Sequence, residues 1–288
     1  MTPLQRALIT WYGEHGRDLP WRRSRDPWAV LVSELMLQQT QVVRVVDRWQ
    51  RFLDRFPDVE SCARAQRSEV VAEWAGLGYN RRAVFLHRSA RECVERFGGR
   101  LPTSLDDLMS LPGIGPYTAR AVLVFAHERD VGLVDTNAGR FVARALAGHR
   151  LTARDAQALA DDAVPDGWGW TWGQAVFDLG ATRCRKRSPR CDGCPIRHEC
   201  RWAAAGFPEP DPIDGSAGIS APQSPFEGSD RQGRGRLVGA LRLGSVTDEQ
   251  LAVVMGWPDD RGRALRVAES LVADGLVART STGWMLGR

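Results

Sequence analysis

The sequence predicts an all-α main body followed by a small helical module that closes in a β-hairpin. Three observations lead there. Apolar residues recur at helical spacing through residues 26–182, Gly and Pro punctuate those stretches, and no convincing strand pattern occurs before residue 275. The predicted helices span 26–56, 68–74, 81–97, 117–127, 137–147, 152–163 and 172–182. Breaks fall at Pro57, Gly76 and Gly78, Gly98 and Gly99, Pro112-Gly113-Ile114-Gly115, and Gly167.

Residues 207–233 change character. Thirteen of these 27 are Pro, Gly or Ser, which reads as a flexible linker. Beyond it, 236–243 and 261–274 read as helices, and Thr247 with Gln250 can form a capping box for a helix through Met255. Residues 276–286, with Gly283, suit a hairpin. Three helices and a hairpin over 234–288 resemble a winged-helix module, a shape that serves DNA binding and plain docking alike.

At 288 residues the chain is long enough to bury a proper core. Its net charge of +4 is uneven: residues 207–288 carry 9 Arg against 11 acids, leaving +6 on residues 1–206. That excess suits a nucleic-acid partner and equally an ordinary solvated surface. Of the 39 basic residues only Lys186 is lysine. Residues 1–15 lack the basic-then-apolar pattern of a signal peptide, and no apolar run reaches membrane-spanning length. A cytoplasmic protein with no membrane partner is expected.

Four of the six cysteines, Cys184, Cys191, Cys194 and Cys200, have the spacing C-x6-C-x2-C-x5-C. Four thiolates in so short a loop can wrap one centre, either tetrahedral zinc or a 4Fe–4S cluster. Arg183, Arg185, Lys186, Arg187 and Arg190 make the loop basic, as a phosphate contact would be. Cys62 and Cys93 fall in helical patterns and read as inert packing residues.

Leu111-Pro112-Gly113-Ile114-Gly115 precedes a predicted helix. Gly113 and Gly115 let the backbone turn tightly and approach a phosphate, which the next helix N-terminus would meet with its amides. An ordinary helix–helix connection is the plain reading of the same residues. Glu34 lies inside a strongly apolar helix, with Gln38 and Gln41 on its face at i+4 and i+7. A buried carboxylate is costly unless it is paired or protonated, so Glu34 is either salt-bridged to an arginine such as Arg22 or Arg120, or chemically active.

Taken together these motifs carry a family resemblance. The cysteine spacing matches the cluster loop of the endonuclease III superfamily of DNA glycosylases, and Leu111–Gly115 resembles its helix-hairpin-helix. Leu19-Pro20-Trp21-Arg22, Ser33-Glu34-Leu35-Met36-Leu37-Gln38-Gln39-Thr40-Gln41 and Gly76-Leu77-Gly78-Tyr79 resemble the adenine glycosylases of the MutY type over about residues 15–205. The resemblance implies a six-helix barrel over about 22–132 and a cluster domain from 1–21 and 133–206, with the DNA groove between them. It also implies a 4Fe–4S cluster rather than zinc, and double-stranded DNA containing A·8-oxoG or A·G mispairs as partner. A monomer, nucleoid-associated when acting on DNA, is the default for such an architecture.

The same resemblance implies roles for individual residues. Glu34, kept protonated by its apolar seat, would protonate N7 of adenine so that the base leaves neutral. Asp135, ionised, would stabilise the oxocarbenium-like sugar, with Tyr117 and Asn137 holding it and the attacking water in place. The target base must be flipped out of the duplex. Gln39 and Tyr79 would wedge into the gap, with Leu37, Gln38 and Thr40 nearby, and Trp21, Arg22 and Asp178 would contact adenine. Members that also cut the strand carry a lysine where this chain has Tyr117, so a lysine imine is not expected.

Three departures stand out. Thr136 replaces the glycine of the family's Asp-Gly-Asn, and Asn80 replaces a second tyrosine after Tyr79. The tail is shorter than, and unlike, the pyrophosphatase-like domain that many members use to recognise 8-oxoguanine. Two rival readings remain: a thymine or uracil mismatch glycosylase of the same fold, which Gln38-Gln39-Thr40 argues against, and a non-catalytic iron–sulfur DNA-binding regulator.

Overall fold

The computed structural model of the chain describes residues 1–219 and 225–287. The first helices are α1 (Pro3–His15), α2 (Pro27–Leu37), α3 (Val42–Arg55), α4 (Val59–Arg64) and α5 (Arg67–Glu73). There follow α6 (Arg81–Phe97), α7 (Leu105–Met109), α8 (Pro116–His127), α9 (Thr136–Phe141) and α10 (Ala153–Asp162). The last are α11 (Gly169–Thr182), α12 (Arg201–Ala204), α13 (Asp230–Leu241), α14 (Leu251–Met255) and α15 (Arg261–Ala273). Strands β1 (Val277–Thr280) and β2 (Gly283–Leu286) end the chain. The all-α expectation therefore holds, with one hairpin. Among the described residues no helix is long and apolar enough to cross a membrane.

Two stretches expected as single helices are divided. Between α2 and α3 the backbone of Gln39 enters the left-handed region (φ 54°), which ends α2. The helix expected over 137–147 starts at Thr136 and passes at Val142 into a π-helical turn ending at Ala147, closed by Gly148 at φ 74°. Helices α1, α4 and α7 were not expected from periodicity. For α1 the local signal is a capping box: Gln5 N donates to Thr2 Oγ1 at 3.3 Å while Thr2 N donates to Gln5 Oε1 at 2.7 Å, with Pro3 in the first turn.

The chain forms two compact units. Unit 1 comprises residues 1–27, 103–105 and 115–219, and unit 2 residues 28–102, 106–114 and 225–287. The core of unit 1 gathers Leu8 and Trp11 of α1, Phe141 of α9, and Trp172 and Leu179 of α11. Helix α8, expected within the barrel, belongs to this unit: Phe125 meets Phe177 of α11 edge-on at 5.8 Å. Part of the expected linker is also packed here. Ile213 and Ser216 are buried, Leu151 N donates to Ser216 Oγ at 3.0 Å, and Ala217 N donates to Leu151 O at 3.1 Å. Turn-rich composition there reflects close backbone hydrogen bonding rather than freedom. Residues 220–224 of the expected linker lie outside the described residues.

In unit 2, Trp28 Nε1 donates to Phe56 O and Trp49 Nε1 to Ala29 O, each at 2.9 Å, tying α2 to α3 and its C-terminus. The expected module is present but starts earlier, because Ser229 caps α13. The Thr247–Gln250 capping box forms before α14, and Asp260 caps α15. Strand β1 pairs antiparallel with β2 in the register Val277↔Leu286, and Val246 adds a bridge to Trp284. This module packs against helices of the same unit: Arg242 donates to Val71 O at 2.9 Å, Arg67 to Gly275 O at 3.0 Å, and Arg81 pairs with Asp274 at 3.2 Å.

The hairpin turn is also anchored in unit 2, where Ser89 Oγ donates to Pro112 O at 2.8 Å. Gly113 has φ 76°, and a Cβ there would sit 2.5 Å from Phe85 Cγ. Gly113→Ala is therefore expected to destabilise the protein by about 1–3 kcal/mol, through left-handed strain and overpacking together. Thermal denaturation against wild type checks this, and an unchanged midpoint contradicts it.

Candidate functional site

Among the expected site residues, Asp135 is the N-cap of α9. Its Oδ1 accepts from Asn137 N at 2.8 Å and Ala138 N at 2.7 Å, and its Oδ2 accepts from Asn137 Nδ2 at 3.0 Å. A helix N-terminus offers these amides because its first turn has no internal acceptors. Thr136, the departure from Asp-Gly-Asn, leaves this array intact. Burial pushes the Asp135 carboxyl above the usual aspartate value; the Ala138 and Asn137 donors and the Arg140 charge pull against it without cancelling it. The sequence reading required an ionised Asp135. Here it is ionised only above a raised titration point.

Behind this array stands Arg140, which periodicity gave no reason to single out. It is 8% exposed. Its Nη2 donates to Asn137 Oδ1 and to Gly180 O, both at 2.7 Å, while Nε donates to Cys184 O at 2.7 Å. One guanidinium thus fixes the amide that holds Asp135 and also reaches the backbone of the first loop cysteine. Tyr117 lies half-buried in the first turn of α8, its ring 6.3 Å from that of Phe177.

Trp21 and Arg22 occupy a short 3-10 turn, Pro20–Arg23, and both are buried. Asp178 has no exposed side chain and accepts from Arg22 Nη1 at 2.8 Å, Arg22 Nη2 at 2.7 Å, Arg17 N at 2.8 Å and Arg17 Nε at 2.7 Å. Burial alone would raise this carboxyl; the Arg22 and Arg17 contacts carry it below the usual range. Both oxygens of Asp178 are thus occupied by donors of Arg17 and Arg22, which holds Arg22 in place. Arg120, the other arginine weighed as a partner for Glu34, pairs with Asp161 at 2.7 Å.

In unit 2, Glu34 is 6% exposed within α2, flanked by Leu31, Leu35 and Met36, each at 1% or less. Beyond it the chain turns through Leu37, Gln38, Gln39 and Thr40. Gln38, Gln39 and Thr40 of this turn and Gly76–Tyr79 line one cleft of ≈ 1010 Å³, together with Gly113, Phe226 and Arg231. Gln39 is exposed, and Tyr79 is 40% exposed with its hydroxyl accepting from Arg231 Nη1 at 3.1 Å. Both residues hold positive φ, 54° and 45°. Non-glycine residues in that region cost about 1–3 kcal/mol each and persist only where their surroundings impose them. Unit 2 thus brings Gln38, Gln39, Thr40, Tyr79 and Gly113 together, and unit 1 brings together Asp135 with Asn137 and Arg22 with Asp178.

The four loop cysteines are half-buried and, among the described residues, form no disulfide. Burial raises Cys194 to about 11, and Cys184, Cys200 and Cys191 add to that shift, so the sulfurs lie within electrostatic reach of one another. Arg144 donates to Cys184 Sγ at 3.6 Å and accepts through its carbonyl from Cys200 Sγ at 3.5 Å. Four soft donors beside a fixed cation suit a thiolate-ligated centre with net negative charge. Among the described residues, however, no three His, Cys, Asp or Glu side chains converge closely enough to hold a metal ion. Cys62 and Cys93 are buried, their thiols pushed well up, Cys93 to about 12, in keeping with inert packing.

Residues 32–165 match the family model of the HhH-GPD superfamily base excision DNA repair proteins. The chain is 42% identical over 282 residues to an adenine DNA glycosylase of Mycolicibacterium smegmatis, covering 96% of this chain and 93% of that protein. Such coverage takes in most of the C-terminal module. Among solved structures, a thermostable thymine-DNA glycosylase superposes with TM-score 0.65 at 27% identity, covering 70% of this chain and 95% of that one. A trapped endonuclease III–DNA covalent intermediate shares the fold, with TM-score 0.61 at 19% identity over 72% of this chain and all of that one.

The Asp135 array has a measurable consequence. Carbon-detected NMR titration should place its carboxyl midpoint above that of an ordinary aspartate. Asn137→Ala removes a donor that favours the charged form, so the midpoint should rise further. A midpoint that falls in the variant contradicts the arrangement.

Proposed function

Because the chain belongs to the helix-hairpin-helix adenine DNA glycosylase family and is thus a DNA glycosylase of base excision repair, we propose that it hydrolyses the N-glycosidic bond of adenine mispaired with 8-oxoguanine or guanine in double-stranded DNA. The observation that carries this reading is the Asp135 carboxylate, held by three N–H donors at the start of α9. A fixed anion of this kind is what a developing glycosyl cation needs.

In this reading Glu34 delivers a proton to N7 of the extruded adenine, converting a poor anionic leaving group into a neutral one. It is almost wholly buried in α2, among apolar side chains. Asp135 stabilises or bonds the sugar cation, Asn137 holds the carboxylate, and Tyr117 helps position the water. Trp21 and Arg22, the latter oriented by Asp178, contact the base. Gln39 and Tyr79 enter the gap left in the duplex, supported by Leu37, Gln38 and Thr40, while Gly113 and Gly115 bring the hairpin backbone to a phosphate.

Cys184, Cys191, Cys194 and Cys200 would hold a 4Fe–4S cluster. When bound, the cluster supplies a rigid fold for the loop rather than chemistry in turnover. Arg183, Arg185, Arg187 and Arg190 then face the phosphate backbone from a fixed position. Since Tyr117 stands where a strand-cleaving relative has lysine, and Lys186 belongs to the cysteine loop, no lysine imine forms.

A second reading, removal of thymine or uracil from pairs with guanine, is favoured by the likeness to the thymine-DNA glycosylase. The identity to the mycobacterial adenine enzyme, higher and over nearly the whole chain, weighs against it.

Duplexes carrying A·8-oxoG, A·G, T·G or U·G, incubated with protein and then treated with alkali, separate these readings. Cleavage is expected only at adenine, and release confined to the pyrimidine mispairs sinks the proposal. Glu34→Gln and Asp135→Asn should each slow single-turnover release by roughly 10²–10⁴-fold while DNA binding survives. Full activity in both would favour a non-catalytic role for these carboxylates. Borohydride should trap no covalent DNA adduct, and extraction of iron should bleach a visible absorption band; an adduct, or a colourless protein containing zinc, would overturn those two assignments.

A further inference from the structure

Arg82 is 7% exposed, and among the described residues it has no carboxylate partner. Its guanidinium is satisfied by oxygens from two separate loops. Nη1 donates to Leu35 O at 2.6 Å, Met36 O at 2.9 Å and Gln38 O at 2.6 Å. Nη2 donates to Thr40 Oγ1 at 3.0 Å, Leu77 O at 3.3 Å and Gly78 O at 2.9 Å, and Nε donates to Tyr79 O at 3.3 Å. The first group includes carbonyls at the end of α2, where a helix leaves its acceptors unsatisfied. The second group lies on the Gly76–Tyr79 turn, with Thr40 joining the two.

These two loops carry the two strained residues of the cleft, Gln39 and Tyr79. Left-handed backbone at a glutamine and a tyrosine does not maintain itself. Around Gln39, Arg82 binds the Gln38 carbonyl before it and the Thr40 hydroxyl after it; at Tyr79 it binds the preceding Gly78 carbonyl and the carbonyl of Tyr79 itself. A planar fork with five N–H donors on three nitrogens can reach acceptors on two loops at once, whereas a lysine ammonium carries only three donors on a single atom.

We propose that Arg82 is a positioning residue that locks Gln39 and Tyr79 into the geometry in which they enter the duplex, so that base extrusion depends on it although it touches neither substrate nor catalytic carboxylate. This rests on the proposed glycosylase reading and adds a residue to it. Burial lowers the Arg82 guanidinium to about 10, which still leaves it charged at neutral pH.

The test is a double-mutant cycle in the full-length protein. Arg82→Lys should reduce single-turnover adenine release from A·8-oxoG duplex by at least roughly tenfold, the worth of one strained residue relaxing. It should also flatten the ratio of rates between A·8-oxoG and A·C, a ratio that general loss of stability would not change. In a Gln39→Ala, Tyr79→Ala background the same substitution should have almost no further effect. Equal effects of Arg82→Lys in both backgrounds, or an unaltered opposite-base ratio, overturn the assignment. Should Arg82→Lys not fold, Thr40→Val, which removes one acceptor that Arg82 binds, carries the same comparison with the same criteria. Wild-type protein that releases no adenine would instead refute the glycosylase reading.

Discussion

Arg140 hydrogen-bonds Asn137, Asn137 hydrogen-bonds Asp135, and the same guanidinium binds the carbonyl of Cys184. Burial works against the charged form of Asp135, and this chain of contacts fixes the donors that oppose that penalty. It ties the start of α9 to the C-terminal end of α11, through Gly180, and to the entry of the cysteine loop that follows. Gly180 has no room for a side chain, since a Cβ would lie 2.6 Å from that of Asn137. Helix packing in unit 1 and the electrostatics of Asp135 are therefore one problem with one solution.

The same device recurs. Arg22, Arg82, Arg140 and Arg144 are each at most 8% exposed, and each satisfies several acceptors at once. Arg22 is paired with Asp178 and Arg144 with Asp211, whereas Arg82 binds carbonyls and one hydroxyl. In a chain with a single lysine, buried cations are arginines, and the planar fork turns each into a multi-point brace. Strain at Gln39 and Tyr79, and the divided helix before α3, become tolerable because such a brace lies beside them.

The module at the C-terminal end packs within unit 2. Its three helices and hairpin are anchored through Arg67, Arg81 and Arg242 to the helices of unit 2. From α13 and the turn before it, Arg231 and Phe226 line the cleft with Gln39 and Tyr79. Their place there was not readable from the tail's own composition, which is acidic on balance.

Local chemistry was legible in the sequence. Cysteine spacing, the glycines of the hairpin, the Thr247–Gln250 capping box and the helical periods all act between residues near in sequence, so pattern alone determined them. The apolar run around Glu34 likewise announced a buried carboxyl. What only tertiary structure decided are the partners drawn from far along the chain. Asp178 turned out to be bound by Arg17 and Arg22, part of the Pro- and Ser-rich segment proved to be packed on Leu151, and Asp135 received its burial as well as its donors. Arg82 and Arg140 carry no local mark at all: an arginine's role depends on which carbonyls surround it, and those carbonyls are brought there by the fold.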